Sequence, residues 1–217
     1  MVLEIIVLNL QIMNEGNICF QQLKNKNPGN EQLNDSKKEN REYLKVEPKI
    51  ITEENWRKFK EIRLDAFKND PEAFRSKKIA KTLYERELEK TEQEWQDDLS
   101  DIENEFFVGA ENPINKEEII SIAGAVKGET WRLIFVYTKK DFREKGVSKQ
   151  VVGKVLKELK EKEVKKIYLY VRKAPKQEKA VKFYKELGFK TLDSISALKK
   201  YRLKSINWQA MELDLVK

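Results

Sequence analysis

Leu133-Ile134-Phe135-Val136-Tyr137-Thr138, followed after two lysines by Asp141-Phe142-Arg143-Glu144-Lys145-Gly146-Val147-Ser148-Lys149, decides how this chain folds. The first six residues are β-branched, aromatic or aliphatic and predict a strand. Val151, Val152, Val155, Leu156 and Leu159 then recur at helical spacing, so Gly146 falls in the turn of a strand-to-helix junction. The opening of a helix leaves backbone N–H groups without intrahelical partners, and they point at whatever lies above the junction. Gly146 offers a position with no Cβ where backbone and an anion can approach closely. Arg143, Lys145 and Lys149 add mobile positive charge. One helix end contributes only about 0.3–1 kcal/mol, so donors and charges must act together.

Downstream, Lys166 to Val171 alternates Ile167, Leu169 and Val171 with Tyr168 and Tyr170. Strand, helix, strand implies a parallel pair. A further helix spans Gln177 to Leu187 with Ala180, Phe183, Tyr184 and Leu187 on one face, and Gly188-Phe189 supplies a glycine C-cap with its apolar contact. Thr191 onward and Trp208 to Val216 supply closing strands. Upstream, Phe106–Ala110, Ile119–Val126 and Trp131–Thr138 read as three strands, the last two joined by a turn containing Gly128. A short strand over Val46–Ile51 precedes Thr52, a helix cap, with Glu53 and Glu54 in the first turn. Trp56, Phe59, Ile62, Ala66 and Phe67 share a helical face. Asp70-Pro71 restarts a helix, and Tyr84, Leu88, Trp95 and Leu99 predict one longer helical stretch, broken near Ser76. The fold class is α+β, with a mixed, mostly antiparallel sheet of six or seven strands.

The 217 residues suffice for one sizeable domain and a tail. Residues 1–43 carry Asn, Gln, Lys and Glu with little apolar periodicity, the composition of a disordered tail; residues 44–217 form the domain. Charged residues make up 37% and the formal net charge is +7. Between Lys139 and Lys190 there are 18 Lys and Arg against 7 Asp and Glu, so the excess surrounds the junction and suits a polyanion. One cysteine, Cys19, and no histidine leave no disulfide, no common zinc-site layout and no imidazole base. Met1 to Met13 carries Glu4 and lacks a basic leader region, so neither signal peptide nor anchor is expected, and the cytoplasm is the expected compartment.

The order of elements from about Leu44 to Val216, together with Arg143, Gly146 and Ser148 in the spacing Arg-x-x-Gly-x-Ser, resembles the GNAT superfamily of N-acetyltransferases. So do Asp70-Pro71-Glu72-Ala73-Phe74 and the helix end from Phe183-Tyr184 to Gly188-Phe189. The resemblance implies acetyl-CoA as co-substrate, no metal, helices on both sheet faces and a splayed central parallel pair. It implies that the backbone of Arg143, Glu144, Lys145, Gly146, Val147, Ser148 and Lys149 grips the pyrophosphate. It further implies that backbone groups of Val136 and Thr138 meet the pantetheine arm as a strand would. Gln177 stands where the family often has Asn. Tyr184 matches the family's acid for the leaving thiolate. Glu129 sits where some relatives place a catalytic Glu, and is equally well read as a polar hairpin residue.

A lysine-type amine has a pKa near 10.4, so a neutral nucleophile at pH 7 costs about 4.6 kcal/mol. With no cysteine after Leu44, acyl transfer must be direct, in a ternary complex. The expected partner is an amine on a small molecule or a protein; no membrane is implied, nucleic acid is disfavoured, and a homodimer is allowed. The competing class is a CoA-binding or nucleic-acid-binding module on the same fold that has lost turnover.

Overall fold

The computed structural model describes residues 43–74, 77–173, 177–193, 196 and 207–216. The expected tail and the expected break near Ser76 lie outside the described residues. Among the described residues seven strands form one sheet: β1 (Lys49–Ile50), β2 (Glu105–Glu111), β3 (Ile119–Val126), β4 (Trp131–Thr138), β5 (Lys166–Arg172), β6 (Lys190–Thr191) and β7 (Trp208–Asp214). Their spatial order is β1-β2-β3-β4-β5-β7-β6. Every neighbouring pair is antiparallel except β4 and β5, which need a helical crossover between them. Among the described residues six α-helices accompany the sheet: α1 (Trp56–Asn69), α2 (Pro71–Phe74), α3 (Lys77–Glu89), α4 (Glu92–Ser100), α5 (Val147–Glu161) and α6 (Glu178–Glu186).

Period-two alternation sorts the strand side chains onto two faces. Phe106, Val108 and Ala110 of β2 join Leu133, Ile167 and Leu169 beneath α5, whose Val147, Val151, Val152, Val155 and Leu159 are all buried. Phe183, Tyr184 and Leu187 of α6 pack against this same cluster. Phe107, Ile122 and Tyr137 face the other way and meet Phe59, Ile62 and Ala66 of α1 and Trp95 and Leu99 of α4.

Two expectations give way. The strand expected over Val46–Ile51 shrinks to Lys49–Ile50, because Leu44 and Val46 give their backbone groups to the start of α5 instead. The single long helix expected through Tyr84 to Leu99 is two helices, since Thr91 opens α4 with a capping box. Its hydroxyl accepts from the Glu94 N–H at 3.3 Å, while the Glu94 carboxylate accepts from the Thr91 N–H at 2.8 Å.

The sheet opens along β4. Ile122 pairs with Tyr137 and Gly124 with Ile134, so Phe135 and Val136 together face Ala123 in a bulge. Phe135 takes φ +50°, a left-handed conformation for a bulky residue, at a cost on the order of 1–3 kcal/mol. Pairing with β5 is confined to Trp131↔Ile167 and Arg132↔Tyr168. Beyond Arg132 the two strands part.

Candidate active site

From Thr138 the chain makes a short 3-10 turn over Lys140–Phe142, passes Glu144 at φ +64° and Gly146 at φ +78°, and enters α5 at Val147. No side chain caps this helix start. The N–H groups of Val147, Ser148 and Lys149 have no partner among the described residues, which leaves three converging donors above the open end of β4. Glu144 turns its carboxylate to the Lys179 ammonium, 3.1 Å away on α6. Ser148 keeps its N–H free while its hydroxyl joins a chain: Ser148 Oγ to Thr138 Oγ1 at 2.7 Å, and Thr138 Oγ1 to Ser121 Oγ at 2.7 Å. That chain pins the helix start to β4 and β3.

Gly146 meets a further demand besides the turn. A Cβ there would run into the ring of Tyr43, with the ring Cδ2 only 2.7 Å away. Tyr43 leads a segment stitched to α5: the Leu44 N–H donates to the Lys145 carbonyl at 3.0 Å. The Gln150 amide accepts from the Val46 N–H at 3.0 Å and donates to the Leu44 carbonyl at 2.8 Å. Positive φ and this contact together require glycine. Arg143 is likewise a brace rather than a mobile charge. Its Nε donates to the Thr138 carbonyl at 2.8 Å, its Nη2 meets Asp70 at 3.2 Å, and its guanidinium lies 5.6 Å from the Tyr137 ring centre.

Val136 sits in the stretch of β4 that has left β5, half-buried against the α5 cluster. Thr138 has its carbonyl taken by Arg143 and its hydroxyl by Ser121 and Ser148. Tyr184 is set by the end of α6, where Gly188 at φ +93° lets the Phe189 N–H reach the Tyr184 carbonyl at 3.0 Å. Its ring meets Phe183 and Phe189 edge-on at 5.2 and 5.8 Å. Its hydroxyl has no hydrogen-bond partner among the described residues, and burial pushes the phenol up, so it carries its proton at neutral pH. Gln177 precedes α6 without capping it and lines, with Arg172, Lys173, Lys182 and Lys185, a basic groove of about 630 Å³. Glu129 is exposed in the β3–β4 turn, at the opposite end of β4 from the loop. The strand between them spans roughly 20–25 Å. The fold therefore brings together the loop 143–149, Val136, Thr138 and α6, and leaves Glu129 apart.

Residues that sequence reasoning missed lie on the α1 side. The Tyr137 hydroxyl donates to Asp65 at 2.6 Å, and Asn69 donates to the other carboxylate oxygen at 2.8 Å. Burial first, and the bond to Asp65 second, push the Tyr137 phenol up. Asp65 has no cation beside it among the described residues. Deeper in, Arg63 donates to Glu87 through Nε at 3.2 Å and Nη2 at 2.7 Å. The same guanidinium lies 4.5 Å from the Phe135 ring centre, and Phe67 meets that ring edge-on at 5.4 Å. Burial alone would push the Glu87 carboxyl up; the charges of Arg63 and Lys90 outweigh it and hold the group below the usual carboxylate range. Nothing in the local sequence marks any of these pairings.

Among the described residues no helix is long and apolar enough to cross a membrane, and no group of His, Cys, Asp and Glu is arranged to hold a metal ion. A strand parts here from its parallel neighbour above an uncapped, glycine-led helix start. The family model for the acetyltransferase (GNAT) family matches residues 64–189. The chain belongs to this family of N-acetyltransferases, which use acetyl-CoA. No curated protein matches the sequence. Among solved structures, the PaiA N-acetyltransferase from Thermoplasma acidophilum in complex with coenzyme A superposes with a TM-score of 0.61 at 16% identity, over 79% of this chain and 99% of that one. An acetyltransferase of the GNAT family from Staphylococcus aureus gives 0.53 at 19% identity, over 79% and 100%. An N-acetyltransferase from Staphylococcus aureus gives 0.54 at 13%, over 80% and 100%.

Proposed function

We propose that this protein moves the acetyl group of acetyl-CoA directly to a primary amine of a small molecule or a protein, within a ternary complex in the cytoplasm. The observation that carries the reading is the set of free N–H groups at Val147, Ser148 and Lys149, placed above the part of β4 that has left β5. The backbone of Arg143 to Lys149 is assigned to the diphosphate, with Lys145 and Lys149 supplying charge and Glu144 kept aside by Lys179. Val136 offers the open strand backbone to the pantetheine arm. Thr138, with its polar groups already engaged, positions the loop rather than the arm. Gln177 flanks the nucleotide end beside the basic groove.

The reaction forms an amide C–N bond and breaks the thioester C–S bond. Tyr184, protonated and with no hydrogen-bond partner on its hydroxyl among the described residues, is assigned to give its proton to the departing sulfur and recover one from solvent, while the attacking amine's proton passes to solvent; such acid catalysis contributes roughly 10²–10⁴ in rate. Asp65, a carboxylate that only neutral donors hold among the described residues, supplies a counter-charge for an ammonium on the α1 side. Glu129 lies at the far end of β4 from the loop, and no residue is assigned the role of base.

Titration with CoA, followed by thiol release across a panel of amines, tests the reading. It predicts a rise in melting temperature with CoA and thiol release with one class of amine. DNA binding that falls steeply with salt, without transfer to any amine, would instead support a binding module.

A further inference from the structure

Phe135 occupies a backbone conformation that glycine adopts freely and a bulky side chain does not. It does so in the residue pair where β4 bulges, three residues past Arg132, the last residue of β4 that pairs with β5. A regular strand would have to slip by one residue here to absorb the bulge. The slip would turn Tyr137 away from Asp65 and Thr138 away from Ser148, because side chains alternate faces. Something must hold the ring in place. The Arg63 guanidinium sits over it at 4.5 Å, and Glu87 fixes that guanidinium by two hydrogen bonds from α3.

A buried ion pair is a weak source of stability, since apolar residues of similar volume often do as well or better. The stability of the fold therefore does not explain why a charged pair is placed against this ring. We propose that Arg63 and Glu87 are positioning residues for the transfer site: they hold Phe135 left-handed, and so keep open the gap between β4 and β5 that receives the thioester arm. The arm's place in that gap rests on the acetyl-CoA reading above; the mechanical part does not. Glu87 aims the guanidinium, the guanidinium holds the ring, and the ring's backbone sets the course of Val136, Tyr137 and Thr138.

The test is the double variant Arg63→Met/Glu87→Leu, which removes the charges and keeps the volume. Its melting transition should stay cooperative, while CoA affinity falls about tenfold or more and the amides of Leu133 to Thr138 become better protected from hydrogen exchange as β4 closes on β5. Adding Phe135→Gly, which needs no clamp at positive φ, should return CoA affinity and the exchange pattern close to wild type. An unchanged affinity and exchange pattern in the double variant, or a triple variant that regains neither, would overturn the proposal. Phe135→Ala against Phe135→Gly in the otherwise native chain decides the matter should the double variant not fold: only the alanine should weaken CoA binding, and equal effects refute the clamp. A wild-type protein that bound no CoA would end the acetyl-CoA reading, and the exchange comparison would still decide this one.

Discussion

The two faces of the sheet are built on different chemistry. Under α5 the core is apolar and mostly aliphatic, with Phe106, Trp131 and Phe189 among the branched chains: Val147, Val151, Val152, Val155 and Leu159 lie on Val108, Ile120, Ile167 and Leu169. On the α1 side aromatic rings enclose charges. Phe59, Trp95, Phe107 and Phe135 surround the Arg63 guanidinium, and Glu87, only 2% exposed, answers it. The aliphatic face gives close packing and carries the loop on a rigid helix. The aromatic, charged face holds the strain that opens the sheet.

Mutation can break this contrast. The largest effect is expected for Val155→Asp, which puts an unpaired charge into the aliphatic core; no cooperative unfolding transition should remain by calorimetry. Next, Glu87→Leu alone strands the Arg63 charge and should cost about 3–5 kcal/mol in chemical denaturation. Leu159→Ala should cost about 2–5 kcal/mol on the other face. The paired Arg63→Met/Glu87→Leu change should be far milder than Glu87→Leu. A paired change as costly as the single one would mean that the charged face stabilises the fold as strongly as the aliphatic one.

Acid sharpens the same contrast. The Glu87 carboxyl is held below its ordinary value, so its contribution is complete above about pH 4.3. It disappears as pH falls through the lower folded-state value. Glu105, which burial pushes up, titrates in the opposite sense. Unfolding curves taken from pH 6 down to pH 3 should show wild type losing more stability than the paired variant; parallel losses would contradict the assignment.

Smaller effects concern the loop and the phenol. Gly146→Ala meets both the positive φ and the Tyr43 ring; it should destabilise by about 1–2 kcal/mol, and Tyr43→Ala in the same chain should recover part of that. Tyr184→Phe keeps the ring contacts, so stability should change by less than about 0.5 kcal/mol. Transfer should slow about 10²-fold or more at nearly constant CoA affinity. Equal loss of both would remove Tyr184 from the acid role.

Periodic elements were legible because each is specified locally. Leu133 to Thr138, the Val151-to-Leu159 spacing and the Gly188-Phe189 cap all appear as read, and so does the Gly146 turn. The Thr91-x-x-Glu94 cap was equally visible, but the apolar spacing from Tyr84 to Leu99 masked it as one helix. The bulge was not legible. Phe135 sits in a run that reads as uninterrupted strand, and the groups that pack its ring, Arg63 and Phe67, are distant in sequence. Tyr43 over Gly146 and Asp65 beneath Tyr137 are also long-range contacts with no local mark. Glu129 shows the converse: a position suggestive in sequence that the strand's length sets at the far end of β4 from the loop.

The most direct measurement follows the amide resonances of Val147, Ser148 and Lys149 while CoA is titrated. A diphosphate held by the start of α5 should move these three signals most, saturably and together with a calorimetric heat. Unmoved loop amides in a folded protein, with the largest changes elsewhere or no heat at all, would contradict the account.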